Sequence, residues 1–369
     1  MRWTSSAAAA MALAASSAQA QAPAPPGVQL YGIVDAGVER VNNVGAAGRS
    51  VTRMPGLSGG QLPSRWGLRG NEDLGGGQRA VFTLESGFGV DTGNLLQGGR
   101  GFGRQAFVGL SGGWGTLTLG RHWTMTFFSM LDADVIGPSV FGLAAFDPYL
   151  PNARTDNSVS YRGTFQGVTL GATYSLGRDG APPANCGGEN AAGECRAWSL
   201  LAKYDAPTWG VALAHDKLEG GATGGFFGQP AGTLPAAGNT DARTHLNGYL
   251  RFGTLKLGAG LVRRELKVSP APLSTDLYYL GLSTPVAGAF SVDAQVIALR
   301  DERPDANARA LVVRGNYAFS RRTSAYALLG RVSNGGTAAY SVTAGEAASV
   351  APAAGRGQTG VMLGLRHSF

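Results

Sequence analysis

Hydrophobic and polar residues alternate one by one over many stretches of this chain. In 167–177, Val168, Leu170, Ala172, Tyr174 and Leu176 fall on one face of an extended strand, and Thr169, Gly171, Thr173 and Ser175 on the other. Residues 244–253 repeat the scheme, with Leu246, Leu250 and Phe252 opposite His245, Asn247, Tyr249 and Arg251. Phe290, Val292, Ala294, Val296 and Ala298 oppose Ser291, Asp293 and Gln295, and the chain ends with Val361, Leu363, Leu365 and Phe369 opposite Gly364, Arg366 and Ser368. One such strand would fit a soluble sandwich. Many of them, each about ten residues long, predict an all-β transmembrane barrel, apolar toward lipid and polar toward a lumen. Hydrocarbon offers no partner to free backbone groups, so the sheet must close on itself.

The connections strengthen this expectation. Long ones are predicted near 42–63, 90–102, 123–156, 178–196, 218–242, 268–275, 302–308 and 334–357, and short ones near 73–77, 112–114, 164–166, 206–209, 253–254, 286–288 and 320–322. Long and short alternate strictly, which predicts sixteen antiparallel strands with both termini beside short turns. In such barrels the short turns are periplasmic and the long loops extracellular. Trp114, Phe165, Trp209, Phe252, Phe290, Phe319 and Phe369 stand at strand ends beside the short turns, as an interfacial girdle would. No run of eighteen apolar residues suggests a membrane helix.

Composition narrows the class. Charged residues make up 15% of the 369, against roughly 25% in ordinary soluble domains. A hydrophobic share of 44% excludes a disordered chain, and 58 glycines suit closely packed strands and tight turns. The first twenty residues read as a secretory signal, with Arg2 as the basic region, Ala7–Ala15 as the apolar segment and Ala18-Gln19-Ala20 as the cleavage site. Cleavage after Ala22 is the alternative. The expected organisation is therefore a signal peptide over 1–20 and one barrel domain over 21–369.

The formal charge is +7, with 31 basic against 24 acidic residues. The basic residues are scattered singly, with no nucleic-acid-binding stripe. They fit a basic interior or mouth that favours anions. Cys186 and Cys195 lie nine apart in a Gly/Pro/Asn-rich segment, and in an exported chain such a pair is expected to form a loop disulfide. A metal site is not expected, because His122, His215, His245 and His367 fall in separate strands without ligand spacing. Asp91-Thr92-Gly93 matches the aspartic-protease triplet but has no second copy to share a proton. Gly101-x-Gly103-x-x-Ala106 leads into a strand rather than the helix a dinucleotide site needs. No nucleophile is marked, so neither an enzyme nor a cofactor is expected.

Several segments resemble the general porins of Gram-negative bacteria, the β-proteobacterial branch in particular. They are Val28-Gln29-Leu30-Tyr31-Gly32-Ile33-Val34-Asp35-Ala36-Gly37-Val38, Ser64-Arg65-Trp66-Gly67-Leu68-Arg69-Gly70-Asn71-Glu72-Asp73-Leu74-Gly75 and Leu84-Glu85-Ser86-Gly87-Phe88. Arg104-Gln105-Ala106-Phe107-Val108-Gly109-Leu110, Gly115-Thr116-Leu117-Thr118-Leu119-Gly120-Arg121 and Gly364-Leu365-Arg366-His367-Ser368-Phe369 follow in order. The resemblance spans the chain after its leader. It implies a homotrimer in the outer membrane, each chain a water-filled channel for passive passage of small ions and hydrophilic solutes. A solute-specific channel is the alternative. It also implies that the third long loop, 123–156, folds inward, with acidic residues facing a basic wall.

In Gly137-Pro138-Ser139-Val140-Phe141-Gly142 the glutamate of the enterobacterial turn is missing, which leaves Asp132, Asp134 and Asp147 as the loop's acidic candidates. Arg65, Arg104 and Arg154 fall where the family places its arginines, and Glu85 matches an acid beside them. Ile33 stands where some relatives carry a lysine. Phe369 resembles the signal by which the assembly machinery inserts such barrels. Alternation adds detail. Arg65, Gly67 and Arg69 share a face opposite Trp66 and Leu68, and Glu85 shares one with Thr83. An outward Phe107 would turn Arg104, Ala106 and Val108 inward. A lipid-facing arginine at midplane costs roughly 2–4 kcal/mol, so the arginines are expected in the lumen and the channel is expected to prefer anions modestly.

Overall fold

A computed structural model describes residues 27–55, 60–178, 186–189, 193–221, 238–268, 272–345 and 347–369. The expected signal peptide lies outside these residues. The wall of the fold is sixteen strands. They are β1 (Gly27–Val44), β2 (Arg65–Gly75), β3 (Gln78–Gly87), β4 (Gln105–Gly112), β5 (Gly115–Trp123), β6 (Arg154–Phe165), β7 (Val168–Ser175) and β8 (Ala197–Asp205). The second half is β9 (Trp209–Glu219), β10 (Thr240–Phe252), β11 (Leu255–Lys267), β12 (Leu273–Ala287), β13 (Phe290–Asp301), β14 (Ala308–Ala318), β15 (Thr323–Asn334) and β16 (Gln358–Ser368). Each pairs antiparallel with the next, and β1 closes the ring on β16 from Ile33↔Ser368 to Val41↔Gly360. β1 is the longest strand because its other edge serves two partners. Its first half pairs with β2, and its second with a short arm, Arg49–Arg53, that rises from the first long connection.

The short connections are two to four residues long and all lie at one end. Gln166-Gly167 shows why: both residues have positive φ, 49° and 86°, the geometry that lets a two-residue turn follow the twist of its strands. The strand faces are those the alternation predicts. Leu170, Leu176, Leu246 and Leu363 are about half or more exposed on the outer surface, while Ser175, His245 and Asn247 are buried toward the lumen. The seven girdle aromatics are all exposed, at the short-turn rim. No helix among the described residues is long and apolar enough to cross a membrane.

The third long connection, 124–153, folds into the barrel. Its helix α1 (Met125–Met130) packs against β8, β9 and β10. The loop then reaches β14, where Arg314 donates to the carbonyls of Val135 and Ile136 at 3.1 and 2.7 Å. Here the expected polar lumen is replaced by an apolar one. Leu218, Val262, Leu266, Leu277, Ile297 and Leu299 point inward and form one cluster with Met130, Leu143, Phe146, Tyr149 and Leu150 of the loop. Burying each such side chain contributes about 1.5–3 kcal/mol, so the loop is a packed inner layer rather than a free tether. The contact is close. A Cβ added at Gly258 of β11 would sit 2.0 Å from the Ala133 carbonyl oxygen, so only glycine lets the loop backbone lie against the wall there.

Candidate functional site

The inner wall opposite this packed layer carries a basic cluster. Strand alternation turns Arg65 of β2 and Glu85 of β3 inward, and the register sets Arg65 across from Gly87, two residues from Glu85. The Glu85 carboxylate lies 3.4 Å from Arg65 Nε and 2.7 Å from Arg104 Nε, and it accepts a hydrogen bond from the Tyr31 hydroxyl at 3.0 Å. Arg104 arrives by a different route from the one alternation predicts. In β4 it is Val108 and Leu110 that face outward, while Phe107 turns inward and packs on His122, with ring centroids 5.2 Å apart. Arg104 precedes the strand, so its direction is set by the preceding loop. Its N–H donates to the Glu85 carbonyl at 3.0 Å, which lays the side chain beside the same residue's carboxylate.

Trp123, at the end of β5, is the platform of the cluster. The Arg154 guanidinium lies 3.4 Å from its ring centroid and that of Arg104 lies 5.2 Å away, while Phe127 of α1 stacks on it at 3.7 Å. Cations sit favourably on an indole face, so the ring holds two like charges near one another. Arg154 is 7% exposed and donates to the Asn152 side chain at 3.2 Å, and its Nε and Nη2 have no hydrogen-bond partner among the described residues. Arg121 is ion-paired with Asp156. Three guanidiniums, of Arg65, Arg104 and Arg154, therefore gather around one carboxylate.

The other candidates are placed elsewhere. Arg69 does not reach Glu85. It stands four residues from Arg65, roughly 13 Å along the strand toward the short turns, bonded to the Gln29 side chain at 3.0 Å with its guanidinium over Tyr31. None of the three loop acids makes an ion pair with Arg65, Arg104 or Arg154; each is held by a nearer group instead. Asp132 pairs with Lys203 at 2.6 Å and has Lys256 and Arg251 at 3.9 and 4.0 Å. Asp134 accepts from the Gly137 N–H at 3.1 Å, and burial pushes its carboxyl up to about 6. Asp147 is gripped by Arg243 through bonds of 2.6 and 3.1 Å. Burial raises its pKa, but the Arg243 and Arg264 charges outweigh this and hold it at about 2.

Tyr31, Trp123, Lys203 and Arg314 were not singled out by sequence reasoning. Their roles come from partners distant in the chain, and only the Tyr31 and Trp123 rings, on inward positions near arginines, offered a signal. At the other end of the fold, Cys186 and Cys195 are joined as a disulfide in the loop between β7 and β8. Phe369 exchanges two backbone hydrogen bonds of 3.1 Å with Gly32, and its ring lies where a Cβ on Gly32 would be, 2.3 Å from that position.

Comparison with known proteins agrees with this architecture. The model of a family described as Gram-negative porin matches residues 7–337. An outer membrane porin protein of Bordetella pertussis is 31% identical over 335 residues, covering 81% of this chain and 87% of the relative. Outer membrane porin protein 32 of Delftia acidovorans is 31% identical over 355 residues, covering 93% and 94%. Among solved structures, an anion-selective porin from Comamonas acidovorans superposes with a TM-score of 0.77 at 27% identity, covering 93% of this chain and 99% of that one. With the family's model spanning most of its length and two relatives above 30% identity along a closed sixteen-stranded wall, this chain belongs to the Gram-negative porin family.

Proposed function

We propose that the chain is an outer-membrane general diffusion channel, crossed passively by small hydrophilic solutes and ions, with a modest preference for anions set by Arg65, Arg104 and Arg154. The observation that carries this reading is an imbalance of charge. Arg65 and Arg104 pair with one carboxylate, Glu85, and Arg154 stands beside them on Trp123 with no acid at ion-pair distance among the described residues, while Asp132, Asp134 and Asp147 are occupied by the opposite wall and by the loop itself. Arginine stays charged at any relevant pH, so the constriction keeps a net positive field at short range. Arg154 adds its charge from beneath the surface, with Nε and Nη2 buried without a hydrogen-bond partner among the described residues. That a structural relative is titled an anion-selective porin supports the same sign. Arg69 and the groups around Asp132 belong to the flanking vestibule in this reading.

The chain is read as one barrel domain over 21–369 after removal of a signal peptide, assembled as a homotrimer as the family resemblance implies. Phe369, seated on Gly32 at the closing seam, is read as the signal for the assembly machinery. The test is the reversal potential across a planar bilayer in a salt gradient, wild type against Arg65→Ala. Removal of one guanidinium shifts the potential toward cations if the basic cluster faces the permeating ions; an unchanged potential refutes it. Saturable block of the current by one solute would favour the solute-specific alternative.

A further inference from the structure

On the outer surface, the long-loop ends of β12–β15 carry charges that the channel does not use. Arg300, Arg309 and Arg331 point away from the lumen, on the same faces as the lipid-facing Val296, Leu311 and Leu329. Register brings them together. Arg309 lies across from Ala298 on one side and Ser333 on the other, and Arg331 lies across from Leu311. Arg300 stands over the Tyr278 ring at 5.6 Å. Small side chains at Ala298 and Ser333 leave a groove of about 420 Å³, with the row Leu280, Val296 and Leu311 as its lower wall, Arg331 at the end of that row and Arg309 in the row above.

The neighbouring outward charges behave differently. Arg263 pairs with Asp276 at 3.5 Å and with Glu265 at 3.7 Å, and Lys217 pairs with Glu219 at 3.4 Å. Asp276, the acid across from Arg300 in register, is thus engaged by Arg263. Among the described residues, none of Arg300, Arg309 and Arg331 has a carboxylate at ion-pair distance; Arg331 donates only to the Thr359 hydroxyl, at 3.3 Å. Arg300 is next to last in β13 and Arg309 second in β14, so they stand just above the apolar band, at headgroup depth on the long-loop side. Arginine matches phosphate oxygens in fork geometry, and a groove that is apolar below and cationic above is complementary to an anionic amphiphile.

We propose that Arg300, Arg309 and Arg331 bind the phosphate groups of a phosphorylated glycolipid of the external leaflet, with one of its acyl chains lying in the groove over Leu280, Val296 and Leu311. The site faces away from the pore, so it is independent of solute passage.

The test uses the full mature chain purified in detergent and native mass spectrometry with diphosphorylated lipid A as the probe. Dephosphorylated lipid A and phosphatidylglycerol serve as competing arms. Wild type is expected to retain the diphosphorylated lipid at least tenfold better than either. The triple variant Arg300→Gln, Arg309→Gln, Arg331→Gln is expected to lose at least tenfold of that retention, while single-channel conductance, which shows the variant folded, stays unchanged. Equal retention by the variant, or equal retention of phosphatidylglycerol, overturns the proposal. A changed subunit number in the variant would also overturn it, by assigning the face to a second copy of the chain.

Discussion

Replacing Gly258 by alanine tests whether the inward loop lies hard against the wall. The added Cβ would stand 2.0 Å from the Ala133 oxygen and 2.8 Å from its carbonyl carbon, both backbone atoms. Ordinary contact begins near 3.4 Å, so the loop must retreat from β11 by more than 1 Å, and the lumen is the only direction open to it. Overpacking of this kind costs typically about 1–3 kcal/mol. The loop is also tied down on either side, by Lys203 to Asp132 and by Arg314 to Val135 and Ile136, so the strain cannot be shed at one end. Gly258→Ala is therefore expected to lower single-channel conductance and the temperature at which the folded form is lost on a gel. Gly113→Ala is the control, since a Cβ there meets nothing within 4 Å. If Gly258→Ala and Gly113→Ala give the same conductance and the same melting temperature, the packed-loop description fails.

Other consequences can be measured in the same preparations. Glu85→Gln removes the carboxylate paired with Arg65 and Arg104; a unit charge at ~6 Å in a dielectric of about 60 is worth about 1 kcal/mol to an anion and as much with opposite sign to a cation, so the anion-to-cation permeability ratio is expected to rise roughly twentyfold, and a fall would count against the charge imbalance. Asp134 has its carboxyl raised by burial to about 6, so its folded form holds a proton that the unfolded chain has released: stability falls as pH rises from about 4 to about 6 and then levels. Asp134→Asn should abolish that fall in thermal unfolding and gain up to about 3 kcal/mol at pH 7.5; an unaltered pH profile would refute the burial. Asp147, held at about 2, works oppositely, and its contribution is expected to be lost only as pH drops below about 4 toward 2. Deleting Phe369, or placing valine at Gly32 where its ring lies, should lower the yield of folded barrel in the envelope; full yield for both would remove the role given to that seam.

The barrel was legible because its rule is local. Leu246 against His245, or Leu363 against Gly364, states which way each side chain points without reference to the rest of the chain. A short turn such as Gln166-Gly167 marks its own position. The rule fails where a third element intrudes. Leu218, Val262 and Leu277 are apolar on the inward face because the loop covers them, and period two has no means of announcing a lid. Alternation from an outward Phe107 would turn Arg104 inward, but the strand's register runs the other way, with Val108 outward, and the residue is aimed by the loop before it. Family resemblance points to Arg65, Glu85 and Arg154, but it does not say that Asp132 meets Lys203, 71 residues away, or Asp147 Arg243, 96 residues away. Such partners depend on which strands stand across the lumen from one another.

The charge balance at the constriction is tested most directly by the zero-current potential of the wild-type channel in a planar bilayer with unequal potassium chloride on the two sides at neutral pH. Three arginines around Glu85, with the loop acids engaged elsewhere, predict a potential whose sign reports chloride passing more readily than potassium. A potential of the opposite sign would contradict the account.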